Sequence, residues 1–286
     1  MKLILSRKGF DSSAGGVPSP ILPDGRLLAL PIPDAASMIR YADISFDGAP
    51  LSRLVEPLTR GKITAEHGAH LDPDLIPEML PRAPGWRPLF GQSGQAQGHL
   101  RNHGVGPGDL FLFFGLFRRV EPHAGGWRWV PGARPCHMIW GWLQVASVLP
   151  VDQARGDHHA WAHYHPHFRR PPDPGNMLYL ARPRLALPEL DEPLPGVGAF
   201  SHVAPERQLT APQATRVSQW RLPRWCYPEH GRTPLSYHAN RQRWRQHTDH
   251  TELDAVARGQ EFVLNGDEYP EALCWATELI RRRQWD

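Results

Sequence analysis

Gly108-Asp109-Leu110-Phe111-Leu112-Phe113-Phe114-Gly115-Leu116-Phe117-Arg118 reads as a turn feeding a buried strand, and this stretch decides the fold. Both alternate sets of its positions are apolar, as a central strand covered on two faces requires. The strand continues to Val120. A second strand follows at His137-Met138-Ile139-Trp140-Gly141-Trp142-Leu143-Gln144-Val145 and runs to Leu149, so the two pair as a long-looped hairpin across residues 121–136. Residues 177–181 supply a third strand. Working outward, residues 3–5 form a short buried strand, 27–32 another and 259–264 a late one. Ala35 to Tyr41 forms a helical turn. Residues 62–100 are mostly loop with a helix starting at Ala96, residues 185–235 are irregular, and residues 241–251 are helical. The last helix has Asp267 as its cap, Pro270 in its first turn and Leu273, Ala276 and Ile280 on one face. Arg281, Arg282 and Arg283 complement its C-terminal dipole. The expected class is α+β: one domain over residues 1–286, with a mixed, largely antiparallel sheet or a small barrel and proline-rich loops.

Composition supports this reading. The 286 residues are 41% hydrophobic and 21% charged, which excludes a disordered tail and a membrane-embedded chain. The longest apolar run falls far short of the roughly 20 residues of a membrane helix. Met1 to Leu5 looks like the start of a signal peptide, but Ser6-Arg7-Lys8 ends it, so a cytoplasmic protein is expected. Three cysteines (Cys136, Cys226, Cys274) make neither a disulfide framework nor a CxxC pair. The net charge of +3 excludes binding of nucleic acid by bulk charge, though not by a local basic groove. Lysine occurs only at Lys2, Lys8 and Lys62, so nearly all of the 32 basic side chains are arginines, whose forks suit phosphates and base edges. A GC-rich genome explains the same bias.

Several polar stretches carry candidate chemistry. In residues 6–20, Arg7, Lys8, Asp11, Ser12 and Ser13 follow a strand among glycines, a pattern that holds an anion, although it has no P-loop spacing. The plain alternative is a tight turn. His67, His70, Asp72 and Asp74 lie within eight residues of one another. Pro73 keeps the two aspartates extended and on one side, fit for a divalent cation or for acid–base work, or for capping a turn. Gln92, Gln95 and His99 lie in a glycine-rich loop entering a helix, and an amide there reads base edges. Ser236, His238 and Asn240 alternate, as if sharing a face. Glu261, beside Gln260, opens a strand and is a candidate catalytic carboxylate. Phe117, Trp140 and Trp142 offer an aromatic face for a flipped base. His163, His165 and His167 alternate as metal ligands on a strand would. With 16 histidines in the chain such clustering also arises by chance, and no metal set is assigned.

These stretches occur in a fixed order: SRKGFDSSAGGVPSPILPDGRLLALPIPD, AHLDPDL, FGQSGQAQGHL, GDLFLFFGLFR, LSYHANRQRW and RGQEFVL. In that order the chain resembles the nucleotide modification-associated domain 3 family from residue 1 to about 280. The resemblance implies a link to systems that modify nucleic-acid bases, chiefly in bacteria and phages, without specifying a reaction. The GDLFLFF and IWGWLQV strands are similar to PUA-like or EVE-like barrels that grip modified bases. ILSRKGF, LSYH and RGQEFVL resemble the arginine–serine–glutamate order of ADP-ribosyltransferases, although Gly259-Gln260 replaces the usual carboxylate before Glu261.

The expected function is an enzyme of base or nucleotide modification, by group transfer or glycosidic-bond chemistry. Arg7, Lys8, Asp11, Ser12 and Ser13 would hold a phosphate. Asp72, Asp74, Glu261 and His238 would carry the chemistry, and Gln92, His99, Ser236, Asn240 and Gln260 would bind substrate. The alternatives are a non-catalytic reader of modified bases and an NAD-dependent ADP-ribosyltransferase. Nucleic acid or a nucleotide is the expected partner, with no membrane, and no cofactor is assigned.

Overall fold

In the computed structural model, which describes residues 1–187, 192–229, 231–257 and 259–282, the chain forms sixteen short to long strands and three α-helices. The strands are β1 (Lys2–Arg7), β2 (Ser19–Ile21), β3 (Ile32–Pro33), β4 (Ser45–Phe46), β5 (Ala49–Pro50), β6 (Ala69–His70), β7 (Leu89–Gln92) and β8 (Leu110–His123), then β9 (Gly126–Trp129), β10 (Cys136–Pro150), β11 (Met177–Ala181), β12 (Val197–Ala199), β13 (Gln219–Pro223), β14 (Trp244–Gln246), β15 (His250–Asp254) and β16 (Glu261–Asn265). The helices are α1 (Ser52–Leu58), α2 (Gly94–Asn102) and α3 (Pro270–Arg281).

A nine-stranded sheet runs β16-β1-β8-β10-β11-β7, with β2 and β9 also on β8 and β12 on β10. β1 and β2 pair parallel to β8, and the other ladders are antiparallel. β8 is central because both of its faces are apolar. Phe111 and Phe113 pack with Ile4, Phe90, Tyr179 and Val263 on one side. Leu110, Leu112 and Phe114 pack with Leu3, Leu5, Trp220 and Phe262 on the other. Burying each such side chain contributes roughly 1.5–3 kcal/mol, so β8 alone anchors both layers.

β8 and β10 pair antiparallel as expected, and β9 folds back onto β8 within their connection. Helix α3 lays Ala272, Ala276, Leu279 and Ile280 on the β16 side of the sheet. Its N-cap is Tyr269 rather than Asp267, because Asp267 Oδ1 accepts from the N-terminal amine at 2.9 Å. Arg281 and Arg282 pair with Glu278 and neighbouring carboxylates, and Arg283 lies outside the described residues.

Other expectations change. The sheet is not a closed barrel: among the described residues no ladder joins edge strands β7 and β16. Residues 27–31 form buried loop, with only Ile32–Pro33 as strand, because Leu28 and Leu30 fill a separate apolar cluster. Residues 35–41 hold turns and no helix. Residues 241–251 give a 3-10 turn and then strands, since Thr251 and Leu253 bury at a spacing of two. Phe117, Trp140 and Trp142 are at most 7% exposed and split between opposite faces of the sheet, so they form core and no stacking surface. Among the described residues all three cysteines are free, and no helix is long and apolar enough to cross a membrane.

Candidate functional site

Alternation along β1 puts Leu3 and Leu5 on the α3 side and Ile4 and Ser6 on the other. The register pairs Ser6 with Glu261 on β16, so the hydroxyl and the carboxylate stand side by side. Lys8 follows the strand and returns its Nζ to Glu261 Oε1 at 2.8 Å, lying 4.7 Å from the centre of the Phe90 ring. Gln92, at the end of β7, donates from Nε2 to the same Oε1 at 2.6 Å. The two edges of the curled sheet thus meet through side chains. The Lys8 and Glu261 side chains are 10% and 0% exposed. Glu261 Oε2 and Ser6 Oγ are buried with no hydrogen-bond partner among the described residues. Desolvating such a pair costs several kcal/mol per ion, so its presence is weak evidence for a stabilising role. Two orphaned polar atoms beside an ion pair make a place where a substrate atom can be bound.

The lip of this centre is the loop after Leu235. Ser236 N donates to Val263 O at 3.0 Å, its Oγ accepts from Val263 N at 2.8 Å, and His99 Nε2 lies 2.9 Å from that Oγ. Tyr237 is next, 49% exposed at φ 67°, a left-handed conformation that a bulky residue adopts only under constraint. Its ring stacks on His99 at 4.2 Å. Burial raises the Tyr237 phenol, and the nearby Glu261 charge adds to that shift. Burial and His103 lower His99, against the pull of Glu261. Tyr237 escaped the sequence reading because backbone strain leaves no mark in residue type.

Most of the other expected site residues are engaged in structure. Arg7 donates to the carbonyls of Ala257 and Val256 at 2.8 and 3.3 Å, so it braces the loop before β16; burial lowers its pKa. Asp11 Oδ1 accepts from Ser13 N, Ser13 Oγ and Ala14 N, which makes a self-contained turn with Ser12 exposed on it. Asp74 receives both arms of Arg82 at 2.6 and 2.7 Å and the Tyr164 hydroxyl at 2.6 Å. His238 donates from Nδ1 to Ser236 O and accepts Val256 N–H at Nε2, so both nitrogens serve the backbone; burial holds it down to about 4. Asn240 caps the turn at Gln242, and the Gln260 side chain is exposed. Gln95 is exposed as well, and Arg258 lies outside the described residues.

Asp72 belongs to a second cluster, apart from Asp74. Its Oδ1 accepts Gly91 N–H at 2.8 Å, one residue along β7 from Gln92. Around it stand His70 from β6 and His165 and His167 from a 3-10 turn at Pro166–Arg169. His163, expected with these two, turns away and bonds Ala154 O. A cavity of about 40 Å³ lined by Gly9, Leu30, Asp72 and Pro73 runs beside the cluster. A groove of about 1280 Å³, lined by Arg119, Arg134, Arg216 and Arg221 among others, touches neither polar centre.

A family model described as nucleotide modification associated domain 3 matches residues 2–265, most of the chain, and the chain belongs to that family. No curated protein and no solved structure matches it. The family's name points to a role in nucleotide modification, with a nucleotide or nucleic acid as substrate.

Proposed function

We propose that this member of the nucleotide modification associated domain 3 family is an enzyme that modifies a base or nucleotide at the Lys8–Glu261 centre, with Tyr237 as the surface on which the base stacks. The observation that carries it is an exposed aromatic ring, held at φ 67°, beside a fully buried carboxylate with an unpartnered oxygen. Lys8 and Gln92 both donate to Oε1 and fix the orientation of the carboxylate. The free Oε2 can then take a proton from water or from a substrate group, and Ser6 Oγ can hold the reacting atom. Group transfer to a base and hydrolysis of a glycosidic bond both need such a carboxylate. The reader has no support in the aromatic strand pair, which is core. The ADP-ribosyltransferase has little in Arg7, whose two terminal nitrogens are held by carbonyls.

The test is mass spectrometry of nucleosides from DNA, RNA and free nucleotides after incubation with the protein, NAD and divalent metals. A mass-shifted nucleoside is expected with wild type, falling by about 100-fold or more in Glu261→Gln. Tyr237→Ala should raise KM by about tenfold, as loss of one stacking contact predicts. Undiminished product from Glu261→Gln would overturn the assignment.

A further inference from the structure

We propose that His70, Asp72 and His167 bind a divalent first-row transition-metal ion, with His165 bordering its open position. Nothing in this inference depends on the nucleotide reading. His70 Nδ1 lies 2.7 Å from Asp34 Oδ2, a carboxylate that can only accept, so the proton is on Nδ1. His167 Nδ1 faces Asn176 Oδ1, and the Asn176 amide nitrogen is committed to His167 O at 3.0 Å. That proton is on Nδ1 too. With Nδ1 of each ring so engaged, both rings turn Nε2 toward Asp72 Oδ2, at 3.5 and 3.4 Å. Three potential ligand atoms thus converge on one buried point, two imidazole nitrogens and a carboxylate oxygen.

The distances distinguish a metal from a proton. An imidazolium would close on the carboxylate to about 2.8 Å. An ion with ligand bonds of about 2.0–2.1 Å in tetrahedral array separates its ligands by about 3.4 Å. The ligand atoms all lie within 4.8 Å of one another. The outer partners have the form that metal histidines use, with a carboxylate or amide oxygen fixing the tautomer of each ring. His165 is fully buried beside them, with Nδ1 accepting His167 N–H and Nε2 lying 3.5 Å from Asp72 Oδ1. Gly91 is the fourth wall. A Cβ there would come within 2.5 Å of the His167 ring, so the site needs glycine at that point of β7. Imidazole with carboxylate suits Zn²⁺, Fe²⁺, Co²⁺ or Mn²⁺ rather than Ca²⁺ or Mg²⁺.

The experiment uses the untagged full-length protein, stripped with a chelator and titrated with Co²⁺, Zn²⁺, Fe²⁺ and Mn²⁺. Visible Co²⁺ absorption and elemental analysis are the readouts. One bound equivalent is expected, with affinity at least 100-fold weaker in His70→Gln, His167→Gln and Asp72→Asn. Should those variants fail to fold by circular dichroism, Asp34→Asn, which touches no ion, is expected to weaken binding about 10–100-fold. The exposed group His247, His250 and Glu252 is the competing site, so His250→Gln is expected to bind as wild type. Binding lost in His250→Gln and kept in His70→Gln and Asp34→Asn, or no uptake by folded wild type, would overturn the proposal.

Discussion

Lys8 and Glu261 are 253 positions apart in sequence and share one 2.8 Å hydrogen bond in the interior. Neither can be removed alone without stranding the other's charge away from water. Lys8→Met is therefore expected to cost about 3–5 kcal/mol in urea unfolding. Lys8→Met with Glu261→Leu should recover most of that loss, since neither charge is then stranded. If the double variant is less stable than the single one, the pair is stabilising in itself. Residue type marked both side chains as chemically interesting, and marked Arg7, Asp11 and Asp74 equally. What separates them is partner choice. Asp11 closes on its own turn, Asp74 is saturated by Arg82 and Tyr164, and Arg7 gives both terminal nitrogens to carbonyls, leaving a buried Nε. Sequence lists donors and acceptors, and only packing pairs them.

At the scale of elements, long apolar strands and helix α3 were legible because their periodicity is local. β7 was not: Leu89-Phe90-Gly91-Gln92 has no alternation, and read as loop. It is a strand because β11 pairs with it. Yet β7 joins the two polar centres, offering Gly91 N–H to Asp72 and the Gln92 amide to Glu261. Gly91→Ala would push a methyl into the His167 ring, where the nearest atom is 2.5 Å away. A loss of about 1–3 kcal/mol is expected, read as a lowered urea midpoint. An unchanged midpoint would mean that β7 and the histidine turn separate easily. Residues 241–251 failed in the opposite sense. Their charges suit an exposed helix, but Trp244 and Leu253 face each other across the β14–β15 ladder and bury together.

For the whole molecule, the sheet is held by apolar layers on both faces, and buried histidines that resist protonation are expected to make it acid-sensitive. His238 ordinarily titrates near 6.5 and is held at about 4 in the fold, chiefly by burial. Between these values the unfolded chain takes up a proton that the native state refuses. Stability therefore falls as pH drops from 6.5 toward 4, by about 2–3 kcal/mol at pH 4.5 from this group. His238→Gln, which cannot charge, is expected to show a smaller loss between pH 7 and 4.5 in urea unfolding. Equal losses would assign the acid sensitivity elsewhere. The sequence by itself determined the central strand pair, the α+β class, the C-terminal helix and the family, because each rests on periodicity or ordered motifs within short windows. Only the tertiary structure decided that the barrel stays open, that Glu261 meets Lys8 and Gln92, that Tyr237 is strained at the lip and that three histidines surround Asp72. Those are contacts between distant segments, fixed by which apolar faces must be buried together, and no local window contains them.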